Sequence, residues 1–525
     1  MGLALKRPDD AVGKTWPAIA IGMFVAFGGV LYGYDTGTIS GILVMPYWVQ
    51  SFKSPGQDRI TPSEDSLIVS ILSAGTFFGA LLAAPTADIL GRKYGLMASA
   101  AIVFNLGVIL QVASTTQPLF IAGRFFAGLG VGLISAIVPL YQSETAPKWI
   151  RGTIVGAYQW AITIGLFLAA IVNYGTGQRN DSGSYRIPVA IQFAWSLIIV
   201  VGLIFLPETP RYLIKRNRPE QAAKALSVLR RIPADDPGIK HELSEIQANH
   251  NYELTLGKAT YLDCLKGTIG KRLLTGCLLQ GLQQLTGVNF IFYYGTQYFQ
   301  NAGFAQGGFT IQVITNTVNV VSTIPGLYLV EKLGRRNLLL LGAVGMAVCQ
   351  FIVAITGTVA ASTNLDAQRA AIAFVCFYIY FFASSWGPVA WVVTGELFPL
   401  KVRAKCLSIT TATNWLLNFA IAYATPYMVN ADAANLQSKV FFIWGSFCFI
   451  CILFVYFMIY ETKGLSLEEV DELYERVQKA WKSQGFVPQV RFQELDTTRR
   501  KSLTEFVEER RRSVEGTENV GGGKV

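Results

Sequence analysis

Twelve apolar segments near the length needed to cross a bilayer, about 20 residues, constrain this chain more than any other feature. They run over 17–44, 66–87, 95–115, 118–140, 153–174, 188–206, 272–300, 309–330, 337–360, 369–394, 406–429 and 438–460. Hydrocarbon offers no partner to a backbone amide, so such segments cross as helices. Only 15% of the 525 residues are charged, against about 25% in soluble chains. The expected fold is an all-α membrane protein of twelve transmembrane helices. The first segment has no small-residue cleavage site after a short apolar core, so it reads as a retained span and not a signal peptide.

The formal charge is +10, and its placement sets the orientation. With the N-terminus inside, the outside loops hold only Lys53, Arg59, Arg179, Arg186, Arg369 and, at an edge, Lys439. Nearly all other cations fall inside, which places both termini in the cytoplasm. The basic balance then needs no nucleic-acid partner. Neither histidine, His241 or His250, lies in a span, and none of the seven cysteines has metal-ligand spacing. Cys448-x-x-Cys451 sits in an apolar helix, a poor setting for redox chemistry. With no metal cluster, nucleophile–base pair or phosphate loop, the expectation is no metal, no cofactor and no enzyme activity. The outside sequon Asn180-Asp-Ser182 lies in a short loop.

An internal repeat organises the chain. Asp88-Ile-Leu-Gly-Arg92-Lys93 is answered by Glu331-Lys-Leu-Gly-Arg335-Arg336. Glu144 and Arg151, in E-x-x-P-x-x-x-R, are answered by Glu396 and Arg403. Glu208-Thr-Pro-Arg211 is answered by Glu461-Thr-Lys. The offsets are 243, 252 and 253 residues, so six spans are duplicated, a common transporter plan. The expected divisions are an arm (1–16), a six-helix bundle (17–207), a cytoplasmic helical linker (208–270), a second bundle (271–460) and a tail (461–525). The linker has helix-like runs such as Pro219 to Arg231, broken by Pro233 and Pro237. The tail opens on a capping box, Ser466-Leu-Glu-Glu469, for a helix to about Lys482, and is then charged, Gly-rich and disordered. We expect the matched acids and arginines to form a cytoplasmic gate, pairing between the bundles when these close. The alternatives are headgroup anchors, or pairs that hold each half together.

The seventh segment carries Gln280, Gln283, Gln284, Thr286 and Asn289. Amides are costly in hydrocarbon without partners, and they both donate and accept. Together they point to a polar cavity for a neutral, hydroxyl-rich solute. At about 100° per residue, Asn289 falls about 140° from Gln284 on a straight helix. Either Asn289 is a packing contact, or the helix breaks near Gly287. Asp35 in the first span and Arg124 in the fourth are each costly alone in a membrane, and facing each other they offset that cost.

These motifs resemble the sugar porter family of the major facilitator superfamily over roughly 17–465. The resemblance rests on G-R-K after the second span, E-x-x-P-x-x-x-R after the fourth, P-E-T-P-R after the sixth, Q-Q-L-T-G-x-N in the seventh and G-R-R after the eighth. G-Y-D-T-G-T-I-S-G in the first span looks most like fungal hexose transporters. The family's P-E-T-K-G appears here with Tyr460 in place of proline. By resemblance the sugar site comprises Gln159, Gln283, Gln284, Asn289, Asn319 and Asn414, with Trp391 as aromatic floor and Gln280 on the approach. Ala383 stands where animal facilitators carry a glutamate. Any one amide, Asn418 above all, could instead serve a helix–helix hydrogen bond. The family also favours the break at Gly287, with Asn289, Tyr293 and Tyr294 on a second piece that moves as the outer gate. Asp35 matches the proton site of coupled porters and Arg124 its partner. Fungal facilitators also carry an acid there, which leaves a structural pair open. The implied function is plasma-membrane hexose transport, glucose first, by alternating access with proton symport. Its partners are the sugar, protons and the lipid bilayer. The alternatives are an uncoupled facilitator and a sugar sensor, although sensors usually carry an extended tail with its own motifs.

Overall fold

The computed structural model describes residues 13–486, apart from 55, 58–59, 148–149, 256–259, 302–306, 360–363, 400–401, 430–433 and 466. The expected arm before residue 13, Ser466 of the capping box and the tail from 487 lie outside the described residues.

Helices occupy all twelve expected crossings. The first half holds span 1 (Trp16–Ala26 and Gly28–Ile42), span 2 (Pro62–Leu90), span 3 (Arg92–Ala113), span 4 (Gln117–Thr145), span 5 (Arg151–Thr176) and span 6 (Gly183–Phe205). The second half holds span 7 (Gly267–Leu285 and Val288–Asn301), span 8 (Gly308–Leu333), span 9 (Arg335–Val359), span 10 (Asp366–Glu396), span 11 (Arg403–Val429) and span 12 (Val440–Met458). Ten helices among the described residues are long and apolar enough to cross a membrane. Spans 7 and 11 are not among these ten. Span 7 is divided into pieces of 19 and 14 residues, and span 11 carries Thr410, Thr411, Thr413, Asn414 and Asn418. Helix starts follow local chemistry. Thr61 caps span 2 in a capping box with Glu64, and Pro62 takes the first turn, where no N–H is needed.

The linker folds as Pro210–Lys215, Pro219–Arg230, Pro237–Thr255 and a short 3₁₀ turn, Leu262–Leu265. Arg230 ties it to the bundle: its guanidinium pairs with Glu242 at 2.7 Å and donates to the Thr145 carbonyl at 3.5 Å. Beyond span 12 the chain forms a helix at Leu467–Arg476 and a 3₁₀ turn at Ala480–Lys482. Arg272 of span 7 pairs with Asp471 and lies over the Tyr474 ring.

The repeated charged motifs correct one expectation. Where their partners are resolved, the ion pairs join helices of the same half. Arg92 pairs with Glu144 at 2.8 Å and approaches Asp88 at 4.0 Å. Arg335 pairs with Glu396 at 2.8 Å and with Glu331 at 3.0 Å. Glu208 accepts from the backbone N–H of Arg92 and Lys93, and Glu461 from those of Arg335 and Arg336. Each of these two carboxylates therefore sits on the N-terminus of a helix, where unpaired N–H groups and the helix dipole favour an anion. Burial pushes the Glu208 carboxyl up, and the N–H groups of Thr209 and Lys93 and the Arg92 charge pull it back. Arg336 donates to the Tyr456 carbonyl and Arg403 to that of Phe398, again within the second half. Arg211 finds no partner among the described residues. Towards the other half, Glu331 and Arg335 both lie beside Gly152 of span 5.

The glycine of each motif follows from this geometry. Gly91 and Gly334 have φ of +92° and +87°, and a Cβ on either would stand 2.4 Å from a carboxylate oxygen of Glu208 or Glu461. Gly91→Ala should therefore cost about 2 kcal/mol or more, read as a lowered thermal midpoint in detergent. Gly56→Ala is the control, since Gly56 also has positive φ (+84°) but nothing within 4 Å; it should cost clearly less.

Candidate functional site: an amide-lined cavity between the halves

Of the two alternatives that the angle of Asn289 left open, the structure shows the break near Gly287. Helix ends at Leu285 and resumes at Val288, with Gly287 at φ +89° and packed so closely on Trp444 that a Cβ would lie 2.5 Å from that ring. The break frees the Thr286 carbonyl, which must be satisfied inside a membrane. Gln350 of span 9 and Tyr378 of span 10 donate to it at 3.2 and 2.9 Å.

The break brings both pieces of span 7 into one hydrogen-bonded network. Asn289, on the second piece, donates to Gln284 Oε1, on the first. Asn418 donates to the same oxygen at 3.1 Å. Gln284 donates to Gln283 Oε1 at 3.3 Å, and Asn414 donates to that oxygen at 3.0 Å and to Gln280 Oε1 at 2.7 Å. Gln283 is anchored in turn. Its NH2 donates to the carbonyls of Trp386 and Gly387 at 2.9 and 3.1 Å. Those carbonyls stand where a π-helical turn, Phe382–Trp386, passes back into α-helix at Gly387. Such turns widen a helix and recur at functional sites.

Beside this network lies a small cavity of about 50 Å³. Six of the eight expected residues line it: Gln159, Gln283, Gln284, Asn289, Trp391 and Asn414. Two do not. Gln280 is fully buried behind Asn414 and donates to Thr394 Oγ1, so it positions Asn414 and does not face the cavity. Asn319 is buried on span 8 outside the cavity wall. Gln159 makes no hydrogen bond to the described residues, and it is the cavity's one side-chain amide from the first half. Trp391 meets Tyr158 edge-on at 6.2 Å. Sequence reasoning missed Tyr32, Thr36, Ile162, Leu166, Val288, Phe292, Phe382 and Trp415. Helical spacing carried a signal for some: Ile162 and Leu166 follow Gln159 by three and seven residues, and Phe292 follows Asn289 by three. Among the described residues no group of His, Cys, Asp or Glu could hold a metal ion.

Asp35 and Arg124 do meet. Arg124 Nη1 lies 3.6 Å from Asp35 Oδ2, with both side chains almost wholly buried. Gln192 donates to Asp35 Oδ1 at 3.1 Å, and Arg124 Nε donates to the Ile68 carbonyl at 2.8 Å. Asp35 Oδ2 and Arg124 Nη2 make no hydrogen bond.

At the end opposite the linker, the second piece of span 7 packs on span 1. Tyr293 and Tyr294 bond to Asn418 and to the Ala422 carbonyl, both on span 11 of their own half. Tyr293 also faces Tyr32, Thr36 and Ser73 of the first half, and two further bonds cross to that half: Thr296 to Ser40 at 3.2 Å and Gln297 to Asp65 at 3.2 Å.

Comparison with known proteins agrees with this architecture. Residues 21–474 match the family described as sugar (and other) transporter. The chain is 63% identical over 506 residues to the major facilitator-type transporter ecdD of Aspergillus rugulosus, with 93% of each covered. It is 53% identical to the probable glucose transporter rco-3 of Neurospora crassa, covering 93% of this chain and 84% of that one. Among solved structures it resembles the proton:xylose symporter XylE bound to 6-bromo-6-deoxy-D-glucose. The TM-score there is 0.74 and the identity 26%, over 88% of this chain and 100% of that one. The chain belongs to the sugar porters of the major facilitator superfamily, a family of transporters and not of enzymes.

Proposed function

We propose that this protein carries a hexose, glucose first, across the plasma membrane by alternating access, with both termini in the cytoplasm and transport coupled to protons. The observation that carries this reading is the cavity itself. One wall is Gln159 of the first half, without a hydrogen-bond partner among the described residues, and the facing wall is the joined Gln283, Gln284, Asn289 and Asn414 of the second half. A pyranose presents hydroxyls around its edge and C–H groups on its faces. The amides match the first, and Trp391 and Phe382 the second. A solute held between Gln159 and the opposing network ties the halves together, and so favours states in which both halves close on it. The relative described as a probable glucose transporter supports the choice of sugar.

The charge clusters supply the other requirement, two halves that move as units. Arg92 with Glu144 and Glu208, and Arg335 with Glu331, Glu396 and Glu461, fasten each half at the linker end. The second piece of span 7 is then free to act at the opposite end as a gate, hinged at Gly287.

Coupling rests on Asp35. While Arg124 is near, the carboxylate stays ionised. As rocking parts the pair, the buried charge loses its counter-charge and takes a proton from outside. One charge moved across 100 mV is worth about 2.3 kcal/mol, or about 50-fold accumulation of a neutral sugar. The solved relative described as a proton:xylose symporter supports this reading.

Radiolabelled glucose uptake in cells lacking their own hexose carriers tests the function and separates a carrier from a sensor, which gives none. Gln159→Leu removes one neutral hydrogen bond, about 1 kcal/mol, and should raise the half-saturation concentration about fivefold. In the same cells uptake should rise as external pH falls and should exceed equilibrium until a protonophore is added. Asp35→Asn should abolish both effects and leave only equilibration. Survival of accumulation in that variant would show that protons drive nothing here.

A further inference from the structure

Span 8 carries polar side chains for which the central cavity has no use. Gln312, Asn316 and Asn319 are spaced so that they share one face of the helix. They are 3%, 0% and 1% exposed. Both amide atoms of Gln312, both of Asn316 and the side-chain oxygen of Asn319 find no hydrogen-bond partner among the described residues. In the central network, amides on facing helices satisfy one another, as Gln280, Gln283 and Asn414 do. Buried amides such as Gln111, Gln142, Asn173, Gln192 and Gln350 each leave only one atom unpaired, whereas Gln312 and Asn316 leave both. A buried amide left without a partner is costly, so five such atoms in line mark a surface built to meet something other than a neighbouring helix.

The surroundings indicate when it is exposed. Span 8 packs against span 5, span 10 and the second piece of span 7. Gln312 Oε1 stands 2.8 Å from where a Cβ on Gly295 would be, so it faces bare helix on that second piece. From Gln312 to Asn319 the face descends about 10 Å, at 1.5 Å per residue, from the end opposite the linker towards mid-depth. No ionisable side chain shares this face, so its ligand is neutral and offers both donors and acceptors.

We propose that Gln312 and Asn316 form an outer subsite for the transported sugar, uncovered when the second piece of span 7 swings off span 8. Sugar hydroxyls donate to the two amide oxygens and accept from the two NH2 groups, and the solute then passes by way of Asn319 into the central cavity. This inference rests on the transport reading above.

The test is initial-rate uptake of radiolabelled glucose by Gln312→Leu, Asn316→Leu and the double variant, with competition by deoxyglucoses each lacking one hydroxyl. Each single variant should raise the half-saturation concentration about five- to tenfold with the maximal rate largely kept. At least one deoxyglucose that competes poorly in the wild type should compete as well as glucose in a variant, because its missing hydroxyl no longer strands an amide. If a leucine variant fails to reach the membrane, Gln312→Met and Asn316→Ser are read in the same way. Unchanged half-saturation together with an unchanged deoxyglucose pattern overturns the subsite. Gln283→Leu is run alongside. Lost uptake there, with wild-type behaviour in the span 8 variants, removes this inference alone, whereas no uptake by the wild type removes the transport reading and the subsite with it.

Discussion

The pairing of Gln283 with the carbonyls of Trp386 and Gly387 underlies the arrangement of the second half. A primary amide deep in a membrane protein has two donors and an acceptor to satisfy, and lipid supplies nothing. Here the donors are met by backbone carbonyls at a π-helical turn, and the acceptor by Gln284 and Asn414. From that point the network runs through Gln280 and Thr394 on one side, and through Gln284, Asn289 and Asn418 on the other. The amides that face the cavity from the second half are therefore held by bonds to one another and to the residues behind them. Such a surface meets a hydroxylated ligand without first having to order itself, which lowers the cost of binding.

The same rule explains why the helix can afford to break. Interrupting span 7 strips the Thr286 carbonyl of its helical partner, and Gln350 and Tyr378 replace it from two neighbouring spans. Non-helical backbone at membrane depth is tolerated only with such replacement or beside a cavity. The break lets Asn289 join residues from which a straight helix would have turned it away. It also separates a first piece fixed to spans 10 and 11 from a second piece that contacts the first half through Tyr293, Thr296 and Gln297.

Much of this was legible in the chain. Hydropathy located all twelve spans, although the polar spans 7 and 11 stand apart because they build the site. The angle between Gln284 and Asn289 narrowed the choice to a packing contact or a break near Gly287, and the family resemblance favoured the break. What was not legible was depth and partner. Gln280 and Asn414 look alike as amides, yet one lies behind the other, and only packing decides that. The acid–arginine motifs were read as pairs between halves because their repetition is visible and their geometry is not. Their glycines held the missing signal: a residue of positive φ before a helix leaves room for a carboxylate on that helix's N-terminus. Asn319 matched the family pattern but sits outside the cavity wall, on a face whose other amides, Gln312 and Asn316, belong to no motif.

The central claim is that the second piece of span 7 moves independently of the first, about a hinge at Gly287. Spin labels at Ser51 and Gln300, both exposed at the end opposite the linker, would report that piece against the first half. Labels at Lys271 and Asn337 would report the first piece against span 9, in a background with the partly accessible Cys277 and Cys376 replaced. The account predicts that saturating glucose shifts the Ser51–Gln300 distance distribution and leaves the Lys271–Asn337 distribution unchanged. Equal shifts in both pairs, or none in either, would contradict it.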